Sequence, residues 1–129
     1  MATEGAFVYD ETFKNTTDLS AKQYFSMKLS AADTDAICSA ATDQVIGILQ
    51  NNPTANQGAT VRLLGRSKAV TDGSGTAIAF GDKLGTDANG RLVKKTADTD
   101  LVAGFSNGAS SASGTKIDVF LTLGAQRAS

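Results

Sequence analysis

The chain has 129 residues, 12 basic and 13 acidic side chains, a formal net charge of −1 and 41% hydrophobic residues. This length and composition predict one globular domain, and the balanced charge argues against nucleic-acid binding, which usually needs a basic excess. Histidine is absent from the sequence, so the commonest general base and transition-metal ligand is missing. No apolar run reaches the ~18 residues that a membrane helix needs, and no signal peptide is visible at the N-terminus.

The first residues do not have a core pattern. Three aromatic residues, Phe7, Tyr9 and Phe13, lie in this stretch and are separated by charged side chains. Such a segment is either a frayed terminus or an arm that becomes ordered on a partner and docks its aromatic side chains there. We favour the second interpretation. It divides the chain into an extended N-terminal arm, residues 1–17, and a β-rich domain, residues 18–129.

The next stretch is ambiguous between helix and strand. Ser20 with Gln23 resembles a capping box, whereas residues 24–29 alternate with the period of a strand. We favour a strand over residues 23–29, followed by a short strand at 36–38. Cys38 is the single cysteine, so it cannot form an internal disulfide, and we expect it to be a small buried side chain.

Further short strands follow at regular intervals. The sequence predicts strands at 45–50 and 60–64, joined by a turn-rich loop, and a continuation at 67–70 after a kink at Gly65. An Asn-Gly pair at residues 89–90 predicts a hairpin between strands near 82–84 and 91–94. The last strands are expected at 101–105 and 116–123. Regularly spaced short strands with turn signals are typical of an all-β sandwich or barrel.

A weak two-fold repeat relates the two halves of this pattern. Gly47 aligns with Gly104, the strand 61–64 aligns with 117–120, and the short strand 36–38 corresponds to 91–93. The predicted fold is therefore all-β, a small sandwich or barrel of short antiparallel strands with an internal repeat. Strand alternation places a group of apolar side chains in the core: Val61, Leu63, Ile117, Val119 and Leu121.

Two large apolar residues fall on the otherwise polar strand faces. Leu64 and Phe120 occupy equivalent positions in this alignment of the two halves. They are either covered by a neighbouring loop or the arm, or they form a subunit interface.

The sequence contains no convincing catalytic, cofactor-binding or metal-binding motif. Gly73 and Gly75 lack the third glycine and the helix of a nucleotide-binding loop. The Ser113–Lys116 spacing lacks the companion motifs of a serine hydrolase of that type, and the Asp87–Gly90 turn has no glutamate at the calcium-loop distance. We therefore expect a protein that is not an enzyme and needs no cofactor.

Several segments together resemble the small decoration, or cement, proteins of tailed-phage heads. They are TDQVIGILQ at 42–50, GATVRLLGRSK at 58–68, FGDKLGTDANGR at 80–91 and ADTDLVAGF at 97–105. The resemblance covers residues 18–123 and rests on a glycine hairpin, an Ile-Gly strand and an alternating strand after a small-residue loop.

This resemblance implies a structural virion protein that binds the outer surface of an assembled head and bridges major capsid protein subunits. It also implies a homotrimer made in the cytoplasm of the bacterial host, with no nucleic-acid, membrane or small-molecule partner. Phe7, Tyr9 and Phe13 would then contact the capsid, and Leu64 and Phe120 would form the subunit interface. The alternatives are a fibre base or tail-surface module, or a bacterial surface or carbohydrate-binding β domain.

Overall fold

The computed structural model describes residues 8–97 and 100–127. Within these ranges the chain forms nine β-strands and no helix. The strands are β1 Tyr9–Phe13, β2 Ser26–Ala31, β3 Thr34–Ile37, β4 Gly47–Leu49, β5 Ala59–Asp72, β6 Lys83–Thr86, β7 Leu92–Lys94, β8 Leu101–Ser106 and β9 Ser113–Arg127. The predicted all-β class is confirmed. The helix that the capping pattern at Ser20 would have started is not formed, and β2 begins only after Tyr24, whose φ of 72° interrupts an extended strand.

The fold is duplicated. In the first half the strands are ordered β3-β2-β4-β5, and in the second half the corresponding order is β7-β6-β8-β9. Each half therefore builds a hairpin, adds a short glycine-containing strand beside its first strand, and ends with a long strand. The internal repeat predicted from the sequence is confirmed as a repeat of strand order.

The two halves are joined through β5. Its second part pairs with β9 and touches β7, so that β5, β7, β6, β8 and β9 close into a five-stranded barrel. Its first part pairs instead with β4 and β1. Gly65, with φ of 103°, lies where the partners change, and only glycine adopts such a φ readily. The expectation of short strands is wrong here, because β5 continues through Gly65 for 14 residues and β9 has 15.

The structure corrects the register of the repeat. Gly47 and Gly104 are equivalent, since a Cβ on either would lie 2.1 Å from a backbone carbonyl oxygen of the long strand beside it. That oxygen belongs to Arg62 in the first half and to Phe120 in the second. The counterpart of Phe120 is therefore Arg62 and not Leu64, a shift of two residues, which leaves strand alternation unchanged.

Two apolar clusters form the core. The first cluster fills the barrel and includes Ile117, Val119 and Leu121 from β9. Its other members are Ile48, Ala69, Ile78, Leu84, Leu92 and Ala103. Val61 lies in the second cluster, which also contains Leu19, Met27, Leu49 and Ala59, and Leu63 is partly buried against it. The predicted core is thus confirmed for Val61, Ile117, Val119 and Leu121, whereas Leu63 is only partly buried. Cys38 is fully buried, and this burial raises the pKa of its thiol.

The N-terminal segment is paired with other strands from Tyr9 onwards. β1 pairs antiparallel with β5, and the backbone of Lys14 exchanges hydrogen bonds with Asp33 and Asp35 at 2.7 and 2.9 Å. Asn15 is buried and its side-chain amide donates to the carbonyl oxygen of Thr54 at 3.1 Å. Backbone pairing therefore holds residues 9–15 against the neighbouring strands despite their polar sequence. The division into an arm, residues 1–17, and a β-rich domain, residues 18–129, stays a prediction.

A buried carboxyl group without a hydrogen-bond partner lies on β3, beside this segment. Asp35 on β3 is 2% exposed, and neither of its carboxyl oxygens accepts a hydrogen bond. Loss of solvation disfavours the ionised form, and burial raises the pKa of Asp35 from 3.8 to about 6. The folded state therefore binds a proton at this site more tightly than the unfolded chain does.

We expect Asp35→Asn to stabilise the protein above pH 6. Because the folded pKa is the higher one, the Asp35 contribution is fully present below pH ~4 and is lost as pH rises through about 6. At most ~3 kcal/mol is involved, at 1.36 kcal/mol per pKa unit. Melting temperatures between pH 4 and 8 should fall less steeply in the variant, whereas the control Asp33→Asn, at an exposed site with φ of 54°, should follow the wild type. Equal pH profiles for Asp35→Asn and wild type would contradict this assignment.

Candidate functional site

Side chains on β1, β5, β8 and β9 meet on one outer surface. Burial alternates along β5 and β9, so that even-numbered residues around positions 64–68 and 116–120 face outward. Cross-strand pairing then places Tyr9 opposite Leu64, and Phe120 opposite both Arg66 and Phe105. Side chains of directly opposed residues lie on the same face. We call these five residues, Tyr9, Leu64, Arg66, Phe105 and Phe120, the aromatic face.

The aromatic face combines exposed rings with fixed cations. Tyr9 is 46% exposed and Phe120 is 44% exposed. The Arg66 guanidinium carbon lies 5.8 Å from the centre of the Phe120 ring, a distance suited to a cation–π contact. Arg66 therefore contacts the ring while its side chain stays 57% exposed.

Asp118 orients the cations at the rim of this face. Its carboxylate accepts a hydrogen bond from Arg66 at 2.6 Å and lies 3.5 Å from the Lys68 ammonium. The hydrogen bond from Arg66, followed by the nearby positive charge, lowers the pKa of Asp118. The single carboxylate of Asp118 pairs with both Arg66 and Lys68, so this rim carries an excess positive charge.

A second ion pair holds β1, and with it Tyr9, against β5. Arg62 donates two hydrogen bonds to the Asp10 carboxylate, at 2.8 and 3.2 Å, and a third to the carbonyl oxygen of Arg66 at 2.9 Å. Such a bidentate contact has well-defined geometry. The position of Tyr9 beside Leu64 therefore depends on Asp10 and Arg62 as well as on the strand pairing.

The structure brings some of the predicted contact residues together and places others elsewhere. Tyr9, Leu64 and Phe120 come together on the aromatic face, although the sequence analysis assigned Tyr9 to a different contact from the other two. Phe13 is not part of it, because it pairs with Ala59 and packs against the second core cluster. Phe7 lies outside the described residues. The assignment of these side chains to a capsid or to a subunit contact stays a prediction.

Two residues of the aromatic face were not predicted from the sequence. Arg66 and Phe105 reach the aromatic face only through the pairing of β9 with β5 and β8. The alternation of residues 116–122 indicated the outward side of β9, but no sequence signal specified which residues of the neighbouring strands lie beside it. Register, rather than side-chain chemistry, was the missing information.

A groove beside the end of β1 gives no indication of catalysis. It has a volume of about 480 Å³ and is lined by Thr12, Phe13, Lys14, Asn15, Thr16, Asn56, Gln57 and Gly58. Lys14 is the single titratable side chain among these. In the described ranges no three His, Cys, Asp or Glu side chains are grouped closely enough to hold a metal ion, and no described helix is long and apolar enough to cross a membrane.

Comparison with known proteins relates the fold to a phage head structure. No protein-family model matches the chain, and no curated protein sequence is similar to it. Among solved structures, the N base of the head fibre gp8.5 of bacteriophage phi29 matches with a TM-score of 0.67 and 15% sequence identity. The match covers 90% of this chain and 95% of that one. The two proteins share a fold over nearly their whole length.

Proposed function

We propose that the chain is a structural, non-enzymatic protein of a phage virion that attaches to the outer surface of the head. The observation that carries this proposal is the aromatic face, where exposed Tyr9 and Phe120 flank Leu64 and Arg66. Tyrosine and arginine are enriched among the few residues that dominate the binding energy of protein interfaces, and phenylalanine is enriched in interface cores. The shared fold with a phage head fibre base supports a virion as the setting.

The finer proposal is a decoration protein that bridges neighbouring major capsid protein subunits and stabilises their lattice. Bridging needs a rigid body with a fixed contact surface, and the closed barrel provides one because it leaves no free strand edge in that part of the fold. The protein would be made in the cytoplasm of the bacterial host and would act as a homotrimer, as the family resemblance implies. Its partner would be the major capsid protein, with no nucleic acid, membrane or small molecule involved.

A head-fibre base is the second candidate, and the fold comparison favours it. The matched protein is described as the N base of a head fibre, and it aligns over 95% of its length. A decoration protein and a fibre base differ in distribution on the head. Electron cryomicroscopy of the virion distinguishes them, because a decoration protein occupies many equivalent lattice sites and a fibre base carries a projecting fibre.

We expect Phe120→Ala to weaken attachment to heads by about 30-fold or more, the effect of losing one interface hot spot of at least ~2 kcal/mol. The measurement is co-sedimentation of purified protein with heads of its own phage that lack it. Leu29→Ala is the matched control, since Leu29 is 51% exposed but lies on β2, away from the aromatic face. Unchanged binding by Phe120→Ala would exclude the aromatic face as the attachment surface.

A further inference from the structure

Three cationic side chains follow one another along the outward face of β5 and β9. Arg66 and Lys68 lie two residues apart on β5, and Lys116 lies on β9 two residues before Asp118, which pairs with Lys68 in the sheet. All three cationic side chains are exposed. We call Arg66, Lys68 and Lys116 the cationic row. Three positive charges around one carboxylate give this surface a net charge of +2, on a chain whose net charge is −1.

Neighbouring side chains order the cationic row. The Lys116 ammonium nitrogen lies 5.7 Å from the centre of the Tyr24 ring, a distance suited to a cation–π contact. The Asp118 carboxylate accepts the hydrogen bond from Arg66 at 2.6 Å and lies 3.5 Å from the Lys68 ammonium. The cations are therefore partly positioned before a partner arrives, so less side-chain freedom is lost when one binds.

The first half of the duplicated fold shows that the strand pairing does not require these cations. In the corrected register of the repeat, Thr12, opposite Thr60, is the counterpart of Lys68. Asp10 is likewise the counterpart of Arg66, and it carries the opposite charge. Like charges on neighbouring positions repel each other. The second half therefore keeps a repulsive arrangement that the fold can be built without, and an anionic partner would relieve it.

We propose that the cationic row binds an extended acidic segment of the protein to which this chain attaches. The inference rests on the proposed function and names the chemistry of the partner surface. Arg66 and Lys68 are spaced about 7 Å apart along their strand, as are alternate residues of any extended chain. Carboxylates at alternate positions of such a segment can therefore face these two cations and, across the strands, Lys116. The adjoining aromatic face supplies the apolar part of the same contact.

A nucleic acid matches this surface less well than an acidic protein segment does. Strong, salt-sensitive binding to duplex DNA rests on about 6–10 phosphate contacts. The row has three cations, which already share the carboxylate of Asp118. A short acidic segment needs only two or three charge pairs beside an apolar contact, and such complementary charges set the specificity and the association rate of a protein interface.

The test is binding of the purified protein to a fluorescent peptide of alternating glutamate and threonine residues, measured by anisotropy. The double substitution Lys68→Gln and Lys116→Gln should weaken binding about tenfold or more at an ionic strength of about 0.1 M. The difference should disappear near 1 M, where the screening length falls to about 3 Å.

The matched control removes two positive charges outside the cationic row. Lys14→Gln with Lys95→Gln changes the net charge of the protein by the same amount, at the end of β1 and after β7, and should bind the peptide as the wild type does. None of the four lysines is buried, so the melting temperatures of both double variants should stay close to that of the wild type.

Three results would overturn the proposal. The wild type could bind the glutamate peptide no more tightly than the same peptide with glutamine in place of glutamate. The Lys68→Gln and Lys116→Gln protein could bind it as tightly as the wild type. Duplex DNA of equal charge could bind to the row more tightly than the peptide, which would make the row a nucleic-acid contact.

Attachment to heads is measured separately with the same variants. A wild-type protein that binds the peptide but no heads would contradict the proposed function and leave the cationic row intact. A protein that binds heads through Phe120 with no loss in the Lys68→Gln and Lys116→Gln variant would contradict the acidic segment alone. The failure of one proposal is therefore distinguishable from the failure of the other.

Discussion

Val119→Asp is expected to prevent folding. Val119 is fully buried in the barrel, in the middle of β9, with Ser67 of β5 and Ser106 of β8 directly opposite. Neither serine hydroxyl is free to solvate a carboxylate, since they already donate to the carbonyl oxygens of Lys68 and Ala79. An unpaired buried charge costs several kcal/mol at least, and the lost valine packing adds to it. Together these consume much of the ~5–15 kcal/mol that stabilises a domain.

The neighbouring residue provides a matched control. Phe120→Asp introduces the same carboxylate one position further along β9, on the outward side, where Arg66 and Lys68 lie nearby. This variant should fold and melt cooperatively. Circular dichroism and thermal unfolding compare the two, and a soluble Val119→Asp protein with a cooperative transition would show that the assigned inward face of β9 is incorrect.

The local alternation of apolar and polar residues predicts which strand faces are buried, whereas the register between strands depends on long-range pairing. The alternation at 116–121 was enough to predict that Ile117, Val119 and Leu121 lie in the core, because period two determines which face is buried. The shared glycines were enough to detect a duplication. The two-residue error in its register arose in the loops, whose small polar residues fit several alignments equally well. Only the contact of Gly104 with the Phe120 backbone decides between them.

The N-terminal strand could not be predicted from local pattern. Residues 9–13 have too few apolar side chains to indicate a buried strand, and β1 is in fact exposed along most of its length. It is held by backbone pairing with β5 and by the Asp10–Arg62 ion pair, neither of which leaves a local sequence signal. The aromatic face could not be predicted for the same reason, since Tyr9 joins Leu64 only through that pairing.

Gly104→Ala is expected to destabilise the protein strongly, and Gly47→Ala should do the same. In both halves an added Cβ would lie 2.1 Å from a backbone carbonyl oxygen, that of Phe120 or of Arg62. Backbone in the middle of a sheet cannot move aside as a flexible side chain can, so relief of the clash must separate β8 from β9, or β4 from β5. Overpacking typically costs about 1–3 kcal/mol, and a clash with backbone lies at the upper end of that range, which lowers the melting temperature by roughly 10 °C in a domain of this size.

Gly75→Ala is the control for this pair of variants. A Cβ at Gly75 would meet nothing within 4 Å, so the substitution should be neutral or slightly stabilising, because alanine reduces the freedom of the unfolded chain. Thermal unfolding of the three variants tests the duplication directly. Similar large losses at positions 47 and 104, with none at 75, follow if the two glycines perform one role in two copies of the same unit. A Gly104→Ala protein that melts within a degree or two of the wild type would show that β8 and β9 are further apart than the pairing of Gly104 with Leu121 requires.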